Sequence, residues 1–246
     1  MNLEGKNVLI TGGGSGIGLE TALRFVKLGC RVLITGRNSE KLTQAAGLDD
    51  ALSYQVCDVT NTADVAKLAE YVKNDFGGIQ VLMNNAGLAF LHQLDDHTSA
   101  YDLARQEITT NYLSAINMIS HLLPVLREQS EAAIINVSSI TGFSPALSLP
   151  TYSASKAALH AYSQALRHSL ALVSAIKVFE VMPSLVDTDF AKDIPAVKIS
   201  AAEVAEAIIK GVSNDIGEIH VGDAVGFYDA FFSKSPQAML VLNRLA

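Results

Sequence analysis

The chain has 246 residues, 49% of them hydrophobic and 17% charged, with a formal net charge of −7 at pH 7. That length fits one large domain or two small ones, with enough apolar side chains for a sizeable core. The acidic balance excludes a general nucleic-acid binder, which wants a basic face, and no apolar run reaches the roughly 20 residues that span a bilayer.

The polar start Met1-Asn2-Leu3-Glu4-Gly5-Lys6 runs straight into a first apolar segment, with no signal peptide in view, so a cytoplasmic location is expected. Val8-Leu9-Ile10, within 7–11, reads as a buried strand. It leads into Thr11-Gly12-Gly13-Gly14-Ser15-Gly16-Ile17-Gly18 and then into helical spacing at Ile17, Leu19, Ala22, Leu23, Phe25 and Val26. Strand, glycine loop and helix together let a backbone approach a pyrophosphate whose charge sits at the helix N-terminus. The loop spacing is Gly12-x3-Gly16-x-Gly18, and no Gly-Lys-Ser/Thr follows, so it is not a P-loop.

Strand-length apolar runs recur at 31–35, 52–57, 79–83, 132–137, 176–182 and 217–221. Helical periodicity fills the gaps near 17–28, 39–46, 62–75, 99–128, 151–173 and 201–213. This alternation predicts parallel strands with crossover helices, and strands apolar on both faces predict a sheet covered on both sides. The expected architecture is α/β: a Rossmann-type doubly wound parallel sheet of about seven strands, in a single domain over 1–246. Residues 184–200, with Asp187, Asp189, Lys192, Asp193 and Pro195, read as a substrate lid with one short helix. Residues 223–246 form an apolar tail interrupted by Ser233, Ser235 and Pro236, packed on the body or on a partner.

Cys30 and Cys57 fall at opposite ends of neighbouring strands, roughly 15 Å apart, too far for a disulfide. Both read as free thiols in a reducing compartment. The six histidines lack metal-ligand spacing, and no metal is expected.

Several chemistry-bearing segments fall at the expected strand ends. They are the glycine loop, Asp58-Val59, Asn84-Asn85-Ala86-Gly87 and Ser138-Ser139-Ile140-Thr141-Gly142. Tyr152-Ser153-Ala154-Ser155-Lys156 then places a phenol and an ammonium one helical turn apart, and Pro183-Ser184-Leu185-Val186-Asp187-Thr188 follows the sixth strand. In this order and spacing the motifs resemble the short-chain dehydrogenase/reductase family over essentially the whole chain. The wording Phe179-Glu180-Val181-Met182-Pro183 and Val186-Asp187-Thr188-Asp189 resembles a bacterial subgroup encoded near D-alanyl-teichoic-acid genes, a name from which no substrate follows.

The resemblance implies an oxidoreductase that passes a hydride between nicotinamide and a small, largely apolar carbonyl or alcohol. It implies a catalytic set of Asn111, Ser139, Tyr152 and Lys156. A phenol with a pKa near 10 is a poor acid–base catalyst at pH 7, and a neighbouring ammonium is expected to lower it. Ser139 would hold the carbonyl oxygen as charge develops. Ser138 is its adjacent rival, but Ser139 begins the Ser-x-x-Gly pattern. Asn111 would hold a water linking Lys156 to solvent. Lys156 would also bond the nicotinamide ribose, beside Tyr152.

The implied cofactor set begins with Gly12, Gly14, Ser15, Gly16, Ile17 and Gly18 at the phosphates. Asp58 and Val59 would clamp adenine, and Asn85, Ala86 and Gly87 would floor the ribose. Val186 would contact the carboxamide through its backbone, with Thr188 in the same set. At the end of the second strand an NAD site places an acid on the ribose hydroxyls. Here Gly36 and Arg37 stand there, and a guanidinium pairs with a 2′-phosphate, so NADP (NADPH) is expected over NAD.

Family members usually carry Pro-Gly where this chain has Pro183-Ser184, which leaves the local loop path open. Phe90, Leu91, His92, Phe143, Leu147, Leu149, Met182 and Leu185 are expected to line an apolar substrate pocket. Two other readings remain: a non-catalytic NADP-binding sensor or scaffold on the same fold, and a nucleotide-sugar epimerase, for which little chain remains after the seventh strand. A homodimer is expected through the long helices, the second rich in small residues (Ala154, Ala157, Ala158, Ala161, Ser163, Ala165, Ala171), and the tail would extend it to a homotetramer.

Overall fold

The computed structural model describes residues 1–95, 99–192, 194 and 196–228. Its first strand, β1 (Asn7–Thr11), is an interior strand of the main sheet. β2 (Arg31–Gly36) and β3 (Leu52–Val56) lie on one side of it. β4 (Val81–Asn84), β5 (Ala132–Val137) and β6 (Ile176–Pro183) lie on the other. Two further strands, β7 (Val186–Asp187) and β8 (Ile199–Ser200), pair only with each other. β9 (Glu218–Val221) closes the main sheet in the order β3-β2-β1-β4-β5-β6-β9, every neighbour parallel.

The helices are α1 (Gly16–Lys27), α2 (Ser39–Ala46), α3 (Thr62–Asn74), α4 (Ala100–Ile108), α5 (Ser114–Arg127), α6 (Pro150–Ala171) and α7 (Ala201–Ser213). The period-two alternation of the strands sorts the core into two layers. Val8, Ile10, Val32, Ile34, Met83, Ile135 and Val181 point toward Ala22 and Phe25 of α1 and Val204, Ile208 and Val212 of α7. Leu9, Leu33, Leu82, Ile134 and Val178 point the other way, toward Val65 and Leu68 of α3 and Met118 and Leu122 of α5. Each such fully buried side chain contributes about 1.5–3 kcal/mol.

The expected elements are present within a few residues, with two differences. The single long helix expected over 99–128 is interrupted by a π-turn at Thr109–Leu113. An i→i+5 turn inserts one extra residue, a change that apolar periodicity does not register. The lid segment holds a 3₁₀ turn at Asp189–Ala191 and the unexpected pair β7–β8, with Val186 beside Ile199. Asp193 and Pro195 of that segment, and most of the tail, lie outside the described residues. The start of the tail packs on its own domain: Tyr228 meets Phe143 edge-on with centroids 5.5 Å apart and lies 4.2 Å from the His220 ring.

Leu9→Ala, which opens the second layer at β1, is expected to cost about 2–5 kcal/mol. Urea unfolding should show a lower midpoint at an unchanged slope.

Candidate active site

Strand order reverses between β1 and β4, and the crevice beyond their carboxyl ends is where ligands bind in open α/β sheets. The Thr11 hydroxyl accepts hydrogen bonds from the N–H groups of Asn85 (2.9 Å) and Ala86 (3.0 Å). The Asn85 amide in turn donates to the carbonyls of Thr11 (3.0 Å) and Gly12 (3.2 Å). The glycine loop is thereby stitched to the end of β4, and the Asn85 side chain braces the loop. Gly18 has no room for a side chain, because a Cβ there would strike the Gly12 carbonyl. Its bare backbone lets α1 start hard against the loop.

α2, α3 and α7 each begin with a side chain that accepts from the first turn: Asn38, Asn61 and Ser200. α1 has no side-chain cap and no acidic residue in its first turn. Its N–H groups and the positive end of its dipole face the crevice, a fit for an anionic group.

Two adjoining cavities fill the crevice. The larger, about 940 Å³, is lined by Gly12, Ser15, Gly16, Ile17, Asn85, Ala86, Gly87, Ser139, Tyr152, Lys156, Val186 and Thr188 among others. The smaller, about 230 Å³, shares Gly12, Ser15, Ala86 and Gly87 and adds Gly14, Arg37, Asp58 and Val59. Of the expected catalytic and cofactor-binding residues, all but Gly18 and Asn111 line a cavity, and both of these sit directly behind a wall. A methyl on Gly87 would lie 3.2 Å from Asn111 Oδ1 and 3.6 Å from Lys156 Nζ.

In the larger cavity the Tyr152 and Ser139 hydroxyls are hydrogen-bonded. Ser139 also accepts from the Thr141 hydroxyl (3.1 Å), whereas the Ser138 hydroxyl donates to Glu180 Oε1 (2.5 Å). Lys156 Nζ donates to the Val137 carbonyl (2.9 Å) and stands 5.6 Å from the centroid of the Tyr152 ring. Burial raises the Tyr152 phenol well above the usual tyrosine range, the Ser139 bond pulls it down, and Glu107 pushes it up again. In this geometry the Lys156 ammonium bonds a main-chain carbonyl rather than the Tyr152 hydroxyl. Burial also pulls Lys156 itself down to about 8, against the upward pull of Glu180.

Asn111 lies in the π-turn. Its amide donates to the Leu88 carbonyl (2.9 Å) and the Ser155 hydroxyl (2.8 Å), and its Oδ1 accepts from the Leu88 N–H (2.8 Å). Both amide hydrogens are used, and the side chain braces the loop after β4 against α6. In the smaller cavity Asp58 accepts from the Thr60 hydroxyl (2.7 Å) and N–H (2.9 Å). Burial raises its carboxyl, but those bonds and the charge of Arg37 outweigh it and hold the group below the usual range.

The model of the short chain dehydrogenase family matches residues 6–198, more than half of the chain. The chain is a short-chain dehydrogenase/reductase. The oxidoreductase DltE of Bacillus subtilis is 36% identical over 188 residues, 76% of this chain and 74% of its own. An oxidoreductase of Staphylococcus saprophyticus, SSP0419, is 32% identical over 85% of this chain and 92% of its own. A short chain dehydrogenase from Burkholderia cenocepacia, solved in complex with NADP, superposes with a TM-score of 0.87 at 29% identity, over 100% of this chain and 99% of that one. A short-chain dehydrogenase/reductase from Burkholderia phymatum, solved in complex with NAD, shares the fold at a TM-score of 0.87 and 21% identity, over 96% of each chain. As a member of this family the chain is an oxidoreductase, and no helix among its described residues is long and apolar enough to cross a membrane.

Against this family's pattern, Ser184 replaces the usual glycine without strain. Asp215 is the only non-glycine residue with positive φ among the described residues, and Ser184 N–H bonds the Val221 carbonyl at 3.1 Å. Of the expected substrate pocket, Leu147, Leu149 and Leu185 line the cavity. Phe143 and Met182 instead join Ile140 and Ala224 in a small core behind it. His92 is buried with Nδ1 on the Phe90 carbonyl (3.0 Å). Phe90 and Leu91 do not reach the cavity either.

Ile194, Ala196 and Val197 of the expected lid segment line it, and so do Gln93 and Phe227, which were not singled out because neither lies in a motif or a periodic segment. Lys41 lines the smaller cavity and pairs with Asp189 at 2.9 Å, 148 positions away. The buried Glu107, one turn before Asn111 on the Tyr152 side, was also missed. Its signal was an acid at a position where the helix faces inward.

Gly18→Ala is expected to push α1 off the loop and weaken binding of a nicotinamide dinucleotide by about tenfold or more, read by fluorescence titration of the folded variant with NADPH and NADH.

Proposed function

We propose that this oxidoreductase is an NADP-preferring carbonyl reductase or alcohol dehydrogenase acting on a small, largely apolar carbonyl or alcohol. The observation that carries this reading is the Tyr152–Ser139 hydroxyl pair in the same cavity as the glycine loop. NADPH would supply the hydride that reduces the carbonyl carbon. The chain's own residues do the rest. Tyr152 Oη gives its proton to the carbonyl oxygen in reduction and takes it back in oxidation. The Ser139 hydroxyl donates a hydrogen bond to the same oxygen as it gains charge. Burial keeps Tyr152 protonated, the form that reduction requires. Lys156, between Val137 and Gly87, is placed for the nicotinamide ribose, and Asn111 holds that wall to α6. A relay water would use the remaining lone pair of Asn111 Oδ1 or the main chain.

The cofactor-binding set would be Gly12, Gly14, Ser15, Gly16, Ile17 and Gly18 for the phosphates, Asp58, Val59, Asn85, Ala86 and Gly87 for adenosine, and Val186 and Thr188 beside the nicotinamide. Arg37 and Lys41 put two cations at the smaller cavity, where an acid would serve NAD. Both favour a 2′-phosphate. The substrate end is walled by Leu147, Leu149, Ile194, Val197 and Phe227 with Gln93 as a neutral polar group, which suits an apolar compound. The free, buried thiols of Cys30 and Cys57 fit a cytoplasmic location. Ala154, Ala161 and Ala165 are exposed along one side of α6, with Ala158 partly so, and this small-residue face supports pairing with a second copy. The further step to a tetramer rests on tail residues beyond 228, outside those described.

Tyr152→Phe is expected to lose on the order of 10² or more in kcat while still binding NADPH, in an NADPH-oxidation screen against aldehydes, ketones and quinones. Near-normal turnover would mean that another group moves the proton. Calorimetry should find NADP(H) bound at least about tenfold more tightly than NAD(H), with Arg37→Asp reversing the order. Equal affinities would sink the preference. Light scattering at low micromolar concentration should give twice the chain mass of 26.2 kDa or more, and a single-chain mass would contradict the pairing.

A further inference from the structure

Glu180 is a fully buried acid on β6, in a strand whose other inward residues are apolar. An unpaired charge there would be costly, and its oxygens are engaged. Oε1 accepts from the Ser138 hydroxyl at 2.5 Å, and His160 Nδ1 lies 3.1 Å from Oε1 and 3.0 Å from Oε2. These partners are not arbitrary. Ser138 is the middle of three consecutive residues at the end of β5. Its predecessor Val137 takes the Lys156 ammonium on its carbonyl, and its successor Ser139 bonds Tyr152. His160 lies one helical turn beyond Lys156 on α6. One carboxylate thus grips both the strand end and the helix on which the reacting groups are mounted.

We propose that Glu180 is a positioning residue of the reaction centre, clamping the end of β5 to α6 through Ser138 and His160. This rests on the reading of Ser139, Tyr152 and Lys156 given above. The ionisable groups around Glu180 and Lys156 come from three elements. Tyr152 and His160 share α6 with Lys156, Glu107 faces Tyr152 from α4, and Arg167 of α6 and Glu218 of β9 act on His160. The Glu180 charge is the one that opposes the desolvation of Lys156. Without it Lys156 would lose its proton at lower pH, and functions that need the ammonium would fail earlier on the alkaline side.

The test uses the full chain, NADPH and the carbonyl compound reduced fastest in the screen. Glu180→Gln is expected to lower kcat about tenfold with KM changed less than about threefold. The alkaline limb of both kcat and NADPH affinity, the latter from fluorescence titration, should move down by about one pH unit. His160→Ala should lose activity, and His160→Asn, whose amide can replace the Nδ1 donor, should recover most of it. A Glu180→Gln enzyme with wild-type kcat and an unmoved limb overturns the proposal. If that variant fails to unfold cooperatively, Ser138→Ala carries the test, because it leaves the acid and His160 in place. A several-fold loss of kcat supports the clamp, and a wild-type rate overturns it. Tyr152→Phe, run alongside, separates the two readings: an inactive Tyr152→Phe beside an unaffected Glu180→Gln removes only the clamp, whereas an active Tyr152→Phe removes the reaction centre itself.

Discussion

The parting of β1 from β4 is the constraint on which the rest of the molecule depends. Two parallel neighbours run side by side from Val8 and Val81 to Ile10 and Met83, and then their chains diverge, because the next crossovers lie on opposite faces. The divergence would leave main-chain donors exposed in a buried place. The Thr11 hydroxyl prevents this by accepting from two consecutive N–H groups after β4. The Asn85 amide repays the contact on the carbonyl side of β1. The crevice therefore has a rigid floor, and every group proposed to touch a nucleotide or a carbonyl compound is mounted around it.

A second level of order comes from buried polar contacts that cross between layers. Asn84 bonds Asn136, and Asn136 bonds Ser163 of α6, each at 2.9 Å. Asn111 links the loop after β4 to Ser155, and Glu180 links β5 to His160. All three runs end on α6, the helix that carries Tyr152 and Lys156. Apolar layers accept substitutions of similar volume, because dispersion and burial have little directionality. Buried hydrogen bonds do not, since an unmatched donor or acceptor costs its full desolvation. The polar runs thus position the reactive helix more sharply than the apolar packing beneath it.

The electrostatics of the site follow from the same burial. Desolvation pushes the Tyr152 phenol up and the Lys156 ammonium down, so each charged form is disfavoured in the closed structure. A protonated phenol fits a proton donor in reduction. The counter-charges are remote from solvent, Glu107 on one side and Glu180 on the other. The cofactor end is organised differently. Arg37, Lys41 and Asp189 are exposed, so their interactions there are screened and adjustable.

How much of this was legible in the chain depended on the range over which a signal acts. Strand runs such as Val8-Leu9-Ile10, the helix over 151–173 and the motifs at Gly12–Gly18 and Tyr152–Lys156 are local, and periodicity with turn chemistry sufficed to place them. The order of those motifs along the chain was enough to assign the family. The π-turn at Thr109–Leu113 was invisible, because one inserted residue barely alters an apolar stripe. Met182 and Phe143 were misplaced for a related reason: an apolar side chain reads the same whether it faces a cavity or a core. Whether Lys156 meets the Tyr152 hydroxyl or the Val137 carbonyl, whether Lys41 reaches Asp189, and whether Glu180 grips Ser138 were decided only in three dimensions. Each depends on the relative placement of elements far apart in the chain, and that placement is set by packing of the whole sheet rather than by any segment's own pattern.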